Sequence, residues 1–160
     1  MTSRFQNALI TSLLAISSVA FLPAQAADTG PTTAQPTVNE RLTLAREAIQ
    51  KKDWRRALAE LNIAARDEPR NADVHNLLGY SYRKQATPNL AKAFEHYNMA
   101  LKLDPKHKGA HEYIGEAYLM DKKPQEAEKH LATLEQLCGN KTCEEYADLA
   151  AAIAKYKATK

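Results

Sequence analysis

Residues 72–105, ADVHNLLGYSYRKQATPNLAKAFEHYNMALKLDP, decide the fold. Leu78 and Tyr82 recur at helical spacing, and Ala93, Tyr97 and Ala100 do the same after a polar break, so the stretch is an amphipathic helix pair. Leu78-Gly79 puts a residue without a side chain midway along the first helix, and Ala93 puts a small one early in the second. Together they let the two backbones approach closely while Tyr82 and Tyr97 fill the groove between them. Pro105 lacks an amide hydrogen and closes the unit.

The unit recurs on both sides with a period near ~34 residues, the signature of a repeat array. Copy one spans residues 38–71, copy two 72–107 and copy three 108–139. Leu44-Ala45, Leu78-Gly79 and Ile114-Gly115 are equivalent, followed by Ala48, Tyr82 and Tyr118. In the second helices Ala57, Ala93 and Ala127 correspond, then Leu61, Tyr97 and Leu131, with Pro69, Pro105 and Gly139 closing each copy. Asp53 is a suitable N-cap for copy one's second helix. Copy two is longer in Lys84 to Pro88, where Thr87 as N-cap and Pro88 at the first helical position are expected to restart the helix.

These residues resemble the tetratricopeptide repeat pattern: a bulky residue, Leu-Gly, Tyr, then Ala, a bulky residue, Ala and Pro. Copies two and three match it well. Copy one is looser, with Arg41 at the position that often holds Trp and that His75 and His111 hold in the later copies. The resemblance implies an all-α fold, an α-α superhelix of three helix-turn-helix repeats. A last segment, residues 143–157, carries Tyr146, Leu149, Ala150 and Ile153 on one face and reads as the helix that covers the otherwise open end of the stack. Thr142 with Glu145 is expected to cap it reciprocally.

The same resemblance assigns the concave face to the first helix of each copy. Its lining is then Leu42, Arg46 and Ile49, Asn76, Tyr80 and Arg83, and Glu112, Glu116 and Met120. Such a lining suits an extended or helical peptide, with Tyr80 as anchor and Arg46 and Arg83 as partners for carboxylates. The clamp with which one subtype of the family grips a C-terminal carboxylate is absent, since Leu42, Arg46 and Leu77 stand where it would need other side chains.

The first 26 residues are of another kind, with Arg4 their only charge and an apolar run from Ala8 to Leu22 that is short for a bilayer span. Pro23 and Ala24-Gln25-Ala26 follow, so residues 1–26 read as a secretory signal peptide cleaved after Ala26. The alternative is a retained membrane anchor. Residues 27–37 hold two prolines, a glycine and no large apolar group, and are expected to be a disordered leader. Export implies a periplasmic location in a Gram-negative bacterium, with no stable membrane insertion after cleavage.

Cleavage removes one of 22 basic residues and none of the 19 acidic, leaving 21 minus 19, or +2. The basic stretches are interrupted by Asp53 and Asp104, so no patch for nucleic acid is expected. Cys138 and Cys143, separated by a Gly-Asn turn, can form a disulfide in an oxidising compartment, pinning the terminal helix to copy three. Redox and metal-site roles are the alternatives, and the redox Cys-x-x-Cys spacing is missing. His107 and His111 are four apart, but His107 falls in a turn and no zinc-protease motif is present, so no metal or cofactor is expected. No nucleophile motif or phosphate loop occurs. The expected function is non-enzymatic: an adaptor that binds another protein or peptide on its concave face. The alternative is an assembly subunit that homo-oligomerises or docks on an envelope complex.

Overall fold

The computed structural model describes residues 34–159. Within them lie seven helices: α1 (Val38–Gln50), α2 (Trp54–Asp67), α3 (Ala72–Lys84), α4 (Leu90–Leu103), α5 (Lys108–Met120), α6 (Pro124–Cys138) and α7 (Glu144–Ala158). No strand occurs among the described residues. The first six make three antiparallel pairs, the expected all-α superhelix, and α7 packs on both α5 and α6. The expected signal peptide and most of the leader lie outside the described residues.

The first five helices each begin where a side chain satisfies a free amide, and α6 begins with Pro124, which has no amide hydrogen to satisfy. Thr37 and Glu40 form a reciprocal capping box at α1, which steadies the copy whose sequence is least regular. Asp53, Asn71 and Asn89 cap α2, α3 and α4 by accepting from the amide three residues on. His107 does the same for α5 through Nδ1.

The connection inside each copy ends on one shared bond. The amides of Asp53, Asn89 and Lys123 donate to the carbonyls of Ala48, Tyr82 and Tyr118 at 2.8, 3.0 and 2.8 Å. In copies one and three the chain makes this turn with Lys52 and Lys122 at positive φ, 57° and 59°. Copy two uses its extra residues instead, and this corrects the expectation for its restart. Thr87 and Pro88 precede the helix, Asn89 is the cap and Leu90 the first helical residue. The extra length is taken up before the shared bond, so the helix begins only after it.

A second correction concerns α7, whose N-cap is Cys143, with no side-chain bond to the helix. The Thr142 hydroxyl donates to Asn140 Oδ1 instead, and that turn removes it from capping.

The core runs as three linked clusters. Leu42, Leu61, Val74 and Leu78 join copies one and two; Ala93, Tyr97, Ile114 and Ala117 join two and three; Leu119, Leu134, Leu149 and Ile153 join copy three to α7. Leu42 is therefore a core residue, 4% exposed, and not part of an open lining. Gly79 gives Tyr97 its seat, and Gly115 gives Leu149 the matching seat one copy later.

The first helices form the inner layer. α3 touches α5 and α5 touches α7, whereas second helices of successive copies share no comparable contact. Elements that pack more closely sit on the inside of the curve, so α3, α5 and α7 line the concave side, and α1 joins them through Arg46 and Ile49, which border one hollow with Tyr80 and Tyr113. Among the described residues no helix is long and apolar enough to cross a membrane.

Candidate functional site

The middle of the concave side is aromatic. Tyr80 on α3 packs against Tyr113 on α5 with ring centroids 4.8 Å apart, and Trp54 at the start of α2 reaches Tyr80 at 6.3 Å. The Arg83 guanidinium lies over both tyrosine rings at 5.4 and 5.7 Å, within cation–π range. Behind them Arg83 Nε donates to the hydroxyl of buried Tyr97 at 3.2 Å, and the same guanidinium is ion-paired with Glu116. Burial, then the neighbouring Glu112, pushes the Tyr113 phenol up to about 12, so the ring stays neutral.

Two open hollows flank this wall. One of about 260 Å³ lies among Arg46, Ile49, Leu77, Tyr80 and Tyr113. The other, of about 440 Å³, lies between α5 and α7, bordered by Arg83, Glu116, Met120, Lys155 and Tyr156. Together they make a discontinuous trough along the inner helices, wide enough for side chains of an extended segment.

The residues assigned to the groove from sequence therefore divide. Arg46 is exposed and Tyr80 is half-buried in the aromatic wall. Glu116 borders the larger hollow while holding Arg83. Asn76, Arg83 and Glu112 are 6%, 5% and 8% exposed, buried polar groups that form the floor. Arg83 is committed to Glu116 and Tyr97, which leaves Arg46 as the more accessible of the two expected carboxylate partners. Copy three also shifts by one: Leu119, not Met120, is equivalent to Arg83 and is buried, while Met120 is 44% exposed.

Tyr113, Leu77, Trp54, Lys155 and Tyr156 were not legible as lining. Tyr113 and Leu77 occupy one repeat position, directly after Asn76 and Glu112, and a large residue there in two copies was the available signal.

The Trp-like position of each copy holds a polar partnership that spans the helix pair. Arg41 Nη1 bonds Glu60 at 2.9 Å in copy one. His75 meets His96 in copy two and His111 meets His130 in copy three, Nδ1 to Nδ1 at 3.2 and 2.8 Å. The carbonyls of Pro69 and Pro105 accept from His75 and His111 Nε2, each at 3.0 Å. With Nε2 carrying the proton, Nδ1 of His75 and His111 accepts, so His96 and His130 donate from Nδ1. His96 and His130 also stack on Tyr82 and Tyr118. Burial and the partner imidazole hold His130 down at about 4 and lower His96, which keeps these two imidazoles neutral at pH 7. His107 takes no part and bonds Asp73.

Cys138 and Cys143 are joined as a disulfide across the α6–α7 turn. Among the described residues the grouping with metal-ligand spacing is Cys138, Cys143 and Glu145, and a disulfide offers no thiolate to a metal.

The tetratricopeptide repeat profile matches residues 42–108 and again 89–140, more than half of the chain. The chain belongs to the tetratricopeptide repeat family. No curated protein matches the sequence. Two of the solved structures that share the fold illustrate it. One is SycD, the type III secretion translocator chaperone of Yersinia enterocolitica, at TM-score 0.68 and 17% identity over 79% of this chain and 96% of that one. The other is the TPR2B domain of yeast Sti1, in a complex titled with pHsp70, at TM-score 0.68 and 16% identity over 77% and 98%.

Proposed function

We propose that this protein is a non-enzymatic periplasmic adaptor that holds an extended segment of a partner protein in its concave trough. The observation that carries the reading is the wall of Tyr80 and Tyr113 on successive inner helices, with an open hollow on either side. Aromatic rings fixed by packing supply large contact area at little entropic cost, as interface anchors do. The similar structures are consistent with such a role, one titled as a translocator chaperone and the other as a complex with pHsp70. The exported location is supported by the N-terminal apolar run with its Ala24-Gln25-Ala26 ending and by the cysteine pair brought together at the turn.

Photo-reactive side chains placed at Arg46 and Met120, with Arg56 and Lys102 on the second helices as controls, test the reading in intact cells. Crosslinks to one discrete protein from the first two positions alone support it. Equal crosslinking from all four, or from the controls only, contradicts it. Fractionation with N-terminal sequencing tests the location, the expected mature terminus being Ala27.

A further inference from the structure

One position joins the two helices of every copy, and its chemistry differs between copies. Arg41 with Glu60 in copy one is equivalent to His75 with His96 and to His111 with His130. An arginine–carboxylate pair attracts through charges already present at neutral pH, whereas two imidazoles hold each other by one hydrogen bond that depends on which nitrogens carry protons.

The geometry of each histidine pair limits the protons it can hold. Nε2 of His75 and His111 donates to the Pro69 and Pro105 carbonyls, which leaves their Nδ1 lone pairs to face Nδ1 of His96 and His130. The ring centres are 5.5 and 5.1 Å apart where the nitrogens are 3.2 and 2.8 Å apart, so the nitrogens lie close to the line between the centres, as a straight hydrogen bond requires. A first added proton takes the remaining lone pair of the pair, on Nε2 of His96 or His130, and the bond survives. A second has only the bonding lone pair left. Two N–H groups and two positive charges then oppose each other across that short gap, and the rings must part. Among the described residues, the charged neighbours are themselves paired: Lys92 with Glu95 beside His96, and Lys129 with Glu126 beside His130. The Tyr82 and Tyr118 rings cover the imidazole faces.

We propose that the His75–His96 and His111–His130 pairs are twin acid-operated latches, which hold α4 on α3 and α6 on α5 at neutral pH and open when each pair takes up a second proton. Burial and then the partner imidazole hold His130 down at about 4 and lower His96, the order that a second protonation imposes. The latch is therefore closed above the ordinary 6.5 and released as pH falls towards 4. Opening reaches the concave wall through α4. His96 precedes Tyr97, whose hydroxyl accepts from Arg83, the cation seated over Tyr80 and Tyr113. Release of a bound partner by acid follows from this, and that consequence rests on the concave face being the binding face.

Two sets of replacements carry the test. His75→Arg/His96→Glu with His111→Arg/His130→Glu writes the copy-one pair into copies two and three. His96→Asn/His130→Asn keeps a donor at the Nδ1 position that cannot be protonated. In hydrogen exchange, wild-type protection factors in α4 and α6 are expected to fall at least about tenfold between pH 7 and pH 4, and those of either variant less than about threefold. Nitrogen NMR of labelled histidine in the wild type is expected to show His96 and His130 protonated at Nδ1 at pH 7, and each pair titrating in two steps, with protection lost at the second. Equal loss of protection in wild type and variants overturns the latch. So do rings that titrate independently in one step, or His96 and His130 protonated at Nε2 at pH 7, results that the wild type gives even where neither variant folds. Acid opening with affinity for the crosslinked partner unchanged keeps the latch and contradicts the concave trough. Acid release of that partner with α4 and α6 still protected overturns the latch and leaves the trough standing.

Discussion

The ring of Tyr97 lies against the backbone of Gly79, so closely that a Cβ on the glycine would stand 2.6 Å from two ring carbons. The ring has no room to retreat, because Tyr97 is wholly buried and its hydroxyl accepts from Arg83. Gly79→Ala is therefore expected to destabilise by about 1–3 kcal/mol through overpacking, and Gly79→Leu by more. Chemical denaturation checks this, and an unchanged midpoint for the alanine variant would mean that the helix pair is not packed as described.

The Arg83 guanidinium ties this seat to the concave wall. Tyr97→Phe removes one hydrogen-bond partner of a buried charge and is expected to cost about 1 kcal/mol. Arg83→Met leaves Glu116 and the Tyr97 hydroxyl without their partner and is expected to cost more than Tyr97→Phe. A ranking in the reverse order, read from thermal midpoints, would contradict the assignment.

Stability is expected to fall on both sides of a mildly acidic range. His130 is held at about 4 against an ordinary 6.5, so the unfolded chain takes up a proton that the folded one refuses. Its contribution is present above 6.5 and lost as pH falls towards 4, a trend that His96, lowered in the same way, reinforces. Glu112 behaves in the opposite sense. Its carboxyl is raised from 4.5 to about 8, so its contribution is full below 4.5 and lost as pH rises through 8. Urea unfolding across pH 4–9 checks both: His130→Gln flattens the acid limb, and Glu112→Gln gains on the wild type as pH rises. Parallel curves for wild type and variants would sink this account.

The disulfide closes a short loop, and the chain-entropy estimate for one of this size is about 2 kcal/mol. Cys138→Ser/Cys143→Ser is expected to lose that amount and to raise amide exchange first in α7, whose N-cap supplies no side-chain bond. Uniform loss across all seven helices would show that α7 is not an independent weak point.

The repeat was legible because Leu78-Gly79, Ile114-Gly115 and the paired alanines obey one packing rule, and the rule needs no knowledge of the partner. Local polar chemistry was less so. Thr87-Pro88 has every feature of a helix start, but the amide of Asn89 must reach the Tyr82 carbonyl, and that nonlocal bond sets the boundary. Thr142 lost its capping role to the adjacent Asn140. The repeat pattern alone points Leu42 outward, whereas the structure folds it into the core between copies one and two. The equivalence of His75 and His111 was visible, while their pairing with His96 and His130 depends on how the second helices turn. Tyr113 is hidden in the sequence for a similar reason, since only the closeness of α3 and α5 brings it to Tyr80.

The central claim is that the concave wall holds the partner, and the affinity of the crosslinked partner for purified variants tests it most directly. Tyr80→Ala/Tyr113→Ala is expected to weaken binding at least about tenfold, as loss of paired aromatic anchors does, with Lys102→Glu on the outer layer unchanged. Undiminished affinity in the double variant, or a loss confined to Lys102→Glu, would contradict the account.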